Sequence, residues 1–350
     1  MSVPAQYPLY SPTRIAFVGE APGETEVEKG IPLVGASGRV FNAMMRTANL
    51  DRKEFLITNV FDEKIPDNNI KNWCAPLDEA KAGGFNDLPP IGSNGYLRPE
   101  YRHHLDRLVN ELDDVRPSVV VPLGGTALWA FTGDAGISSQ RGSIQPAKFL
   151  RPGIKLLPTF HPAFVIHTWK FFSVVTADFI RANKEGFFRD IRLPSRELLI
   201  EPTVQEIRDY MPRLLSSDLL SVDIETGWGQ VTNLGFAPDR EHAINIPFVD
   251  IRKPTKSFYS VGEEVEVWKL VKEVMESDVP KLGQNFGGYD AFWFIDKMGI
   301  APRNYLHDTR LMHHNLYPEL PKNLEFMGGS YTEQGAWKTW GRKAQEKRDS

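Results

Sequence analysis

Four polar side chains in the first half of the chain stand where short apolar runs stop. Glu20 follows Ile15-Ala-Phe-Val-Gly19, and Glu26 lies just beyond it. Asn59 closes Phe55-Leu-Ile-Thr-Asn59, and His161 follows Leu156-Leu-Pro-Thr-Phe160. Runs of this length and composition are of strand type, and in open α/β sheets ligands gather at the carboxyl ends of the strands. Two carboxylates, an amide and an imidazole brought to one such edge could orient water and donate to developing negative charge. A second set lies further on. Asp223 and Glu225, in Val222-Asp-Ile-Glu225, share one face of a strand because side chains at i and i+2 point the same way. Asp290 opens a helical stretch. Carboxylate oxygens bind hard divalent cations, and two such ions ~3.5–4 Å apart activate water against a phosphodiester. Taken singly, an Asn after a strand is a turn residue, a His before Pro a loop residue, and Asp-x-Glu a surface strand. Their order along the chain carries the reading.

The elements that must position these residues follow from the pattern around them. Gly19, Gly23, Gly30, Gly35 and Gly38 let backbone come close to a ligand, and Arg39 to Asn49 has helical spacing. Neither a Walker pattern nor GxGxxG is present, so a nucleotide cradle is not supported. Ser118 to Leu123 is a further buried strand, Tyr101 to Leu112 an amphipathic helix, and Ala163 to Lys184 a mostly helical stretch. Residues 73–98, rich in Gly, Pro and Asn, read as a long surface loop. Strand alternating with helix predicts a parallel sheet covered on both faces. A linker is expected at 191–203, with Thr203 capping a helix from Val204 to Leu215. The strands Leu219–Glu225, Val231–Ala237 and His242–Val249 then read as a meander. Helices are expected at Glu263–Glu276, Gly288–Met298 and Asp308–Asn315, and a frayed, charged end at Trp337–Ser350.

A chain of 350 residues exceeds one hydrophobic core, so two domains are expected. Hydrophobic residues make up 41% and charged residues 25%, the composition of a soluble globular protein. Neither an apolar run of the ~18 residues a membrane span needs nor a signal peptide is present, so no membrane association and a cytoplasmic location are expected. The single cysteine, Cys74, excludes an internal disulfide and a four-cysteine zinc or iron–sulfur site. With a net charge of −4, nucleic-acid binding must come from local basic patches. Arg141, Lys148, Arg151 and Lys170 could contact phosphates.

The stretch Gly19-Glu-Ala-Pro-Gly23, Glu26, and Gly30-Ile-Pro-Leu-Val-Gly35-Ala-Ser-Gly38 resembles the first motif of the uracil-DNA glycosylase superfamily, in particular its thermophile-type family 4 branch. Thr58-Asn-Val60, Gly124-Gly-Thr-Ala-Leu128, Arg141-Gly142 and His161-Pro-Ala163 are similar to later motifs of that family. The resemblance implies a three-layer α/β/α domain with a central parallel sheet over residues 1–190, removing uracil from single- or double-stranded DNA by hydrolysis of the N-glycosidic bond. It implies that Asn59 hydrogen-bonds the uracil edge, that His161 contacts the uracil carbonyl, and that Glu20 and Glu26 are the acidic residues of the first motif. Ala21, Pro22, Gly23, Leu33 and Arg141 would complete the substrate site. Ala21 stands where other branches place a water-activating Asp or Asn, and Leu33 where the family has a Phe that stacks on uracil. The family's iron–sulfur cysteines are absent, so no cofactor is expected at this site, and the 73–98 loop is expected in the cluster's place.

Asp223, Glu225 and Asp290, with Gln284-Asn-Phe-Gly-Gly-Tyr-Asp290 and His307-Asp-Thr-Arg-Leu-Met-His-His314, resemble the DEDD-type 3′–5′ exonuclease of bacterial and phage family A DNA polymerases. This implies a partial RNase H-like, mixed-sheet α/β domain over 204–350, with Mg2+ or Mn2+ at those three carboxylates. The fourth carboxylate motif of that family is missing, so a truncated, poorly active nuclease is expected. The expectation for the whole is a phage-encoded repair enzyme acting in the host cytoplasm. Two alternatives stand beside it: an inactive module that recognises uracil or a modified pyrimidine, and the N-terminal piece of a split polymerase partnered by a DNA polymerase chain.

Overall fold

The structure, a computed structural model, describes residues 1–250, 252–253, 256–333 and 335. The expected frayed end at Trp337–Ser350 lies outside the described residues. The chain divides into two units, Met1–Leu193 with the described part of Glu325–Ser350, and Pro194–Leu324.

The first unit is built on strands β1 (Ile15–Gly19) and β2 (Leu56–Asn59), the short pair β3 (Cys74–Ala75) and β4 (Tyr96–Leu97), then β5 (Val119–Pro122), β6 (Gln145–Pro146) and β7 (Lys155–Leu156). The main sheet runs β2-β1-β5-β7-β6. Its first four strands are parallel and β6 is antiparallel to β7. β1, β2 and β5 are buried along their whole length, as a sheet covered on both faces requires. On one face Phe17 packs against Phe41 and Phe179, from the helices Ala36–Thr47 and Phe172–Glu185. On the other, Ala16 and Val18 join a core with Leu108, Leu112, Ala127 and Phe131, from the helices His103–Val115 and Gly125–Thr132. The result is the expected three-layer α/β/α arrangement. Gly19 pairs with Asn59, and Leu123 bridges Thr159, so Glu20, Asn59, Gly124 and His161 leave the sheet at one edge.

Several local expectations are corrected. Residues 73–98 are not a bare surface loop. β3 pairs with β4, a helix spans Leu77–Ala82, and Trp73, Cys74, Ala75, Ala80, Ile91 and Leu97 are buried. Trp73 stacks between Tyr101 and His104 at 4.3 and 5.5 Å. The inward residues arrive singly among Gly, Pro and Asn, with neither strand nor helix period, so the pattern hides them. The stretch after His161 is mostly helical, as expected, in the form of two helices, Pro162–His167 and Phe172–Glu185, joined by a turn at Trp169–Phe171.

The second unit has one six-stranded sheet. Within the segment expected as linker, β8 (Glu197–Ile200) pairs in parallel with β11 (His242–Pro247); flanking prolines mask this short apolar run. β9 (Leu220–Gly227), β10 (Gln230–Ala237) and β11 form the expected antiparallel meander. β12 (Lys281–Gly283) and β13 (Tyr305–Asp308) complete the order β13-β12-β9-β10-β11-β8. The capping box of Thr203 with Glu206 opens the helix Val204–Leu215, as expected, and Ser260 with Glu263 opens Val261–Glu276. The expected helix Gly288–Met298 is instead short turns, Phe286–Gly288 and Asp290–Phe292, followed by one π turn, Trp293–Lys297. Asn285 starts them in the left-handed region with φ 57°, and paired glycines weaken a helix start. The helix Leu324–Tyr331 closes on the first unit, where Ser330 accepts from Arg141 and Phe326 packs on Phe171. The C-terminal boundary therefore differs from the expected 204–350. Among the described residues no helix is long and apolar enough to cross a membrane.

Candidate active site

At the carboxyl edge of the first sheet a cavity of about 390 Å³ is lined by Glu20, Ala21, Gly23, Glu26, Leu33, Asn59 and His161. It gathers seven of the nine residues expected around the substrate. Pro22 is buried and does not line it, and neither does Arg141. Arg141 is 4% exposed and donates to Asp178 at 3.1 Å and to Ser330 at 2.8 Å, with its guanidinium over the Phe326 ring. Its charge is spent inside the fold on partners far along the chain, which a lone Arg-Gly does not announce.

Asn59 ends β2 beside Gly19. Its side chain is buried, and its Oδ1 has no hydrogen-bond partner. A buried amide oxygen left bare costs ~1–3 kcal/mol, so this atom calls for an N–H donor. A Cβ on Gly19 would lie 2.3 Å from that oxygen and 3.7 Å from His161 Nε2. Amide oxygen and imidazole nitrogen thus face the same backbone point, and only glycine leaves the space between them open. His161 is the N-cap of the helix Pro162–His167, and its Nδ1 accepts from the Ala163 N–H at 3.1 Å. A ring nitrogen that accepts carries no proton, so the neutral ring holds its proton on Nε2. Burial lowers the ring's pKa to about 4, against a pull upward from Glu26. The imidazole is a neutral donor aimed into the cavity.

The two glutamates do different work. Glu26 is buried and accepts from the N–H groups of Val34 at 3.0 Å and Gly35 at 2.7 Å. It caps the helix Ala36–Thr47, whose N-cap is Gly35, where unpaired N–H groups favour a carboxylate. Cβ atoms on Gly23 or Gly35 would crowd its oxygens. Glu20 is half-buried and accepts from the Thr126 hydroxyl. Burial raises its pKa, and the Thr126 bond works against that rise.

Two arginines absent from the sequence reading hold the walls. Arg107 donates to the carbonyls of Asn59 at 2.6 Å and Val60 at 3.0 Å, and pairs with Glu111. Arg52 donates to the carbonyls of Leu33 at 2.7 Å and Pro32, and to Asn42 at 3.0 Å. Leu33 has φ 49°, a conformation costing ~1–2 kcal/mol for a residue with a Cβ. The Arg52 clamp and the close approach of Gly38 to the Leu33 carbonyl, 2.1 Å from a Cβ there, hold it. Ser37, Ile65 and Asn68 also line the cavity. Asp67-Asn68-Asn69 carries an ordinary turn signal, but nothing in it says that the turn folds over the cavity.

The second carboxylate set is only half as expected. Asp223 and Glu225 share the exposed face of β9. Asp290 is buried, and its Oδ1 accepts from the Ile224 N–H at 3.1 Å. Its pKa is raised to about 6, first by burial and then by the charges of Asp223 and Asp308, with the Ile224 bond opposing. The neighbouring Asp308 accepts from the N–H groups of Asn285, Phe286 and Arg310 and from the Tyr305 hydroxyl. Among the described residues no group of three or more His, Cys, Asp or Glu is placed to hold a metal ion. A four-cysteine cluster does not fit the first unit, because Cys74 is the single cysteine and burial pushes its thiol up to about 11.

Residues 7–182 match the family model described as the uracil DNA glycosylase superfamily. Similar curated proteins include the type-4 uracil-DNA glycosylase of Thermotoga maritima, 30% identical over 154 residues, 44% of this chain and 67% of that one. That of Archaeoglobus fulgidus is 30% identical over 161 residues, with the same shares. That of Sulfurisphaera tokodaii is 29% identical over 176 residues, 49% of this chain and 69% of that one. Among solved structures, the exonuclease domain of EXD2 soaked in Mn and GMP is 14% identical, covers 35% of this chain and 61% of its own, and has a TM-score of 0.26. RNase D of Trypanosoma brucei is 13% identical, with coverages of 33% and 38% and a TM-score of 0.25. Overlap that low assigns neither fold nor function.

Proposed function

We propose, since the chain belongs to the uracil DNA glycosylase superfamily, that it is a hydrolase that cleaves the N-glycosidic bond of uracil in DNA and leaves an abasic site. The observation that carries the reading is the pair over Gly19: the bare Asn59 Oδ1 and the neutral His161 Nε2–H. A base in a helix stack must be flipped out to reach such a cavity, and is then read on its Watson–Crick edge. Uracil presents an imide N–H where cytosine presents a bare nitrogen, so a bare amide oxygen selects uracil. As the C–N bond breaks, its electron pair leaves with the base and negative charge gathers on a base carbonyl oxygen. A donor already in place for that charge lowers the barrier. The His161 Nε2–H can supply it without a proton transfer, because the ring is already neutral. The sugar left behind is cationic and takes up water, which loses a proton. Glu20, oriented by Thr126, is the carboxylate placed to steady that cation and align the water, since position 21 offers only a methyl group. Glu26 acts by fixing the 30–35 loop through Val34 and Gly35.

The test is a single-stranded oligonucleotide with one uracil, incubated in EDTA and then treated with alkali. A break at the uracil that disappears in His161→Ala and in Asn59→Ala supports the reading. Retained binding with no break would instead favour a recognition module, the reading that Leu33 favours because it offers the base no ring face.

For the second unit, whose sequence resembles the first part of a polymerase-type 3′–5′ exonuclease, we infer a non-catalytic role. The commitment of Asp290 and Asp308 to backbone N–H groups supports this. Digestion of single-stranded DNA with Mg2+ or Mn2+ that stops in Asp223→Ala would overturn it. Cytoplasmic location, a phage origin and a DNA polymerase partner belong to the same reading, and co-purification with a polymerase chain tests the last.

A further inference from the structure

Beyond His161 the chain runs Pro162-Ala-Phe-Val-Ile-His-Thr-Trp169-Lys-Phe-Phe172. Ala163 lines the cavity. The first helix ends at Thr168, and the turn Trp169–Phe171 sets Trp169 on the surface, 61% exposed. One face of its indole lies on the Phe172 ring, with centroids 4.7 Å apart and planes 25° apart. With most of the residue in water, the other face is bare. Phe172 opens the helix Phe172–Glu185, so the indole is braced against a long element. Lys170 follows with its ammonium 5.5 Å above the Phe171 ring, and His167 precedes. Phe164 and Ile166, on the same stretch, are also exposed. Six residues of chain separate Trp169 from Ala163, which limits their separation to ~20 Å. Successive stacked nucleotides of one strand are ~3.4 Å apart, so the indole lies within about six nucleotides of the cavity.

A braced, half-bare indole beside a lysine is the arrangement that stacks bases of a single strand, and it tolerates every sequence because every base has a π-face. We propose that Trp169, backed by Phe172, is a stacking platform for an unpaired base flanking the nucleotide held in the cavity, and that it gives the protein a preference for single-stranded DNA. The proposal rests on the reading that the cavity takes its nucleotide from DNA. It does not require that the nucleotide be cleaved.

The test measures binding of a labelled, uracil-free single-stranded oligonucleotide, and of its duplex, by fluorescence anisotropy across a salt series. The proteins are the full chain and its Trp169→Ala, Trp169→Phe and Trp228→Ala variants, with Trp228 an exposed tryptophan of the second unit. Trp169→Ala is expected to weaken single-strand binding about 5- to 150-fold, the range of one lost base stack. The slope of log affinity against log salt should stay unchanged, because no phosphate-binding cation is removed. Trp169→Phe should recover most of the loss, and Trp228→Ala should bind as the parent does. A Trp169→Ala protein with unchanged melting temperature that binds the single strand as tightly as the parent overturns the platform. So does one that loses equally on single strand and duplex. Excision of uracil with no platform effect would sink the platform alone, and a platform effect with no excision would sink the hydrolase reading alone.

Discussion

The cavity of the first unit gathers polar residues at strand ends, and the second unit gathers carboxylates on and beside its strands, yet the two sets are wired differently. Around the cavity, support for Asn59, Leu33 and His161 comes through backbone and leaves their working atoms open, while Glu26 alone spends a carboxylate oxygen on backbone N–H groups. Arg107 holds the carbonyl of Asn59 while its Oδ1 stays bare. Arg52 holds the carbonyl of Leu33, and the Ala163 N–H holds one nitrogen of His161 and leaves the other. Around Asp290 and Asp308 the carboxylate oxygens themselves are the support, accepting from the N–H groups of Ile224, Asn285, Phe286 and Arg310. A site prepared for a ligand leaves a desolvated group unsatisfied at some cost to stability. A site absorbed into the fold uses the same chemistry to hold turns together.

That contrast breaks most sharply at His161. Replacing it with Ala removes the donor for the leaving base and should cut the excision rate by about 10²–10³-fold. The melting temperature should fall by only a few degrees, through the lost cap on Pro162–His167, and a large loss of stability with little loss of rate would reverse the comparison. Gly19→Ala puts a methyl 2.3 Å from Asn59 Oδ1 and should cost ~10²-fold in rate, the scale of an ångström-sized misplacement. Asp308→Ala tests the other half. It strips acceptors from four backbone N–H groups and the Tyr305 hydroxyl and should destabilise by about 1–3 kcal/mol in a denaturant titration, with uracil excision unchanged.

Smaller effects sharpen the picture. Glu20 must be ionised to steady a cation, and burial raises its pKa. Excision should therefore fall as pH drops through that raised value, and Glu20→Gln should flatten this acid limb along with the overall rate. No step is expected near the ordinary histidine value of ~6.5, since the His161 ring stays neutral down to about 4. The same depression means that the unfolded chain takes up a proton before the folded one does. His161 therefore withdraws stability as pH falls from ~6.5 towards about 4, and pH-dependent melting of His161→Gln should lack that component. Leu33→Phe should lower KM severalfold by adding a ring face to the cavity wall, with kcat nearly unchanged.

Some of this was legible along the chain and some was not. Four strands of the first sheet were, because each lies in an apolar run stopped by glycine or a polar residue, and Glu20, Asn59 and His161 were found at those stops; β6, the two residues Gln145–Pro146, was not. The meander of the second unit and the Thr203 cap were legible for the same local reason. β8 was hidden by its prolines, and the packed 73–98 segment by its lack of any period. The helix Leu324–Tyr331 gives no sign in its residues that it packs with Arg141 rather than with the unit before it.

The amino-acid sequence by itself determined which side chains reach the carboxyl edge of the sheet, since strand period, glycine spacing and helix capping act over a few residues. Tertiary structure alone decided what those side chains are free to do. The open Asn59 oxygen depends on Gly19 across the sheet and on Arg107, 48 residues away. The orientation of Glu20 depends on Thr126, 106 residues away, and the withdrawal of Arg141 on Ser330, 189 residues away. Whether a polar atom is left bare or consumed depends on who stands opposite it, and no local pattern encodes that.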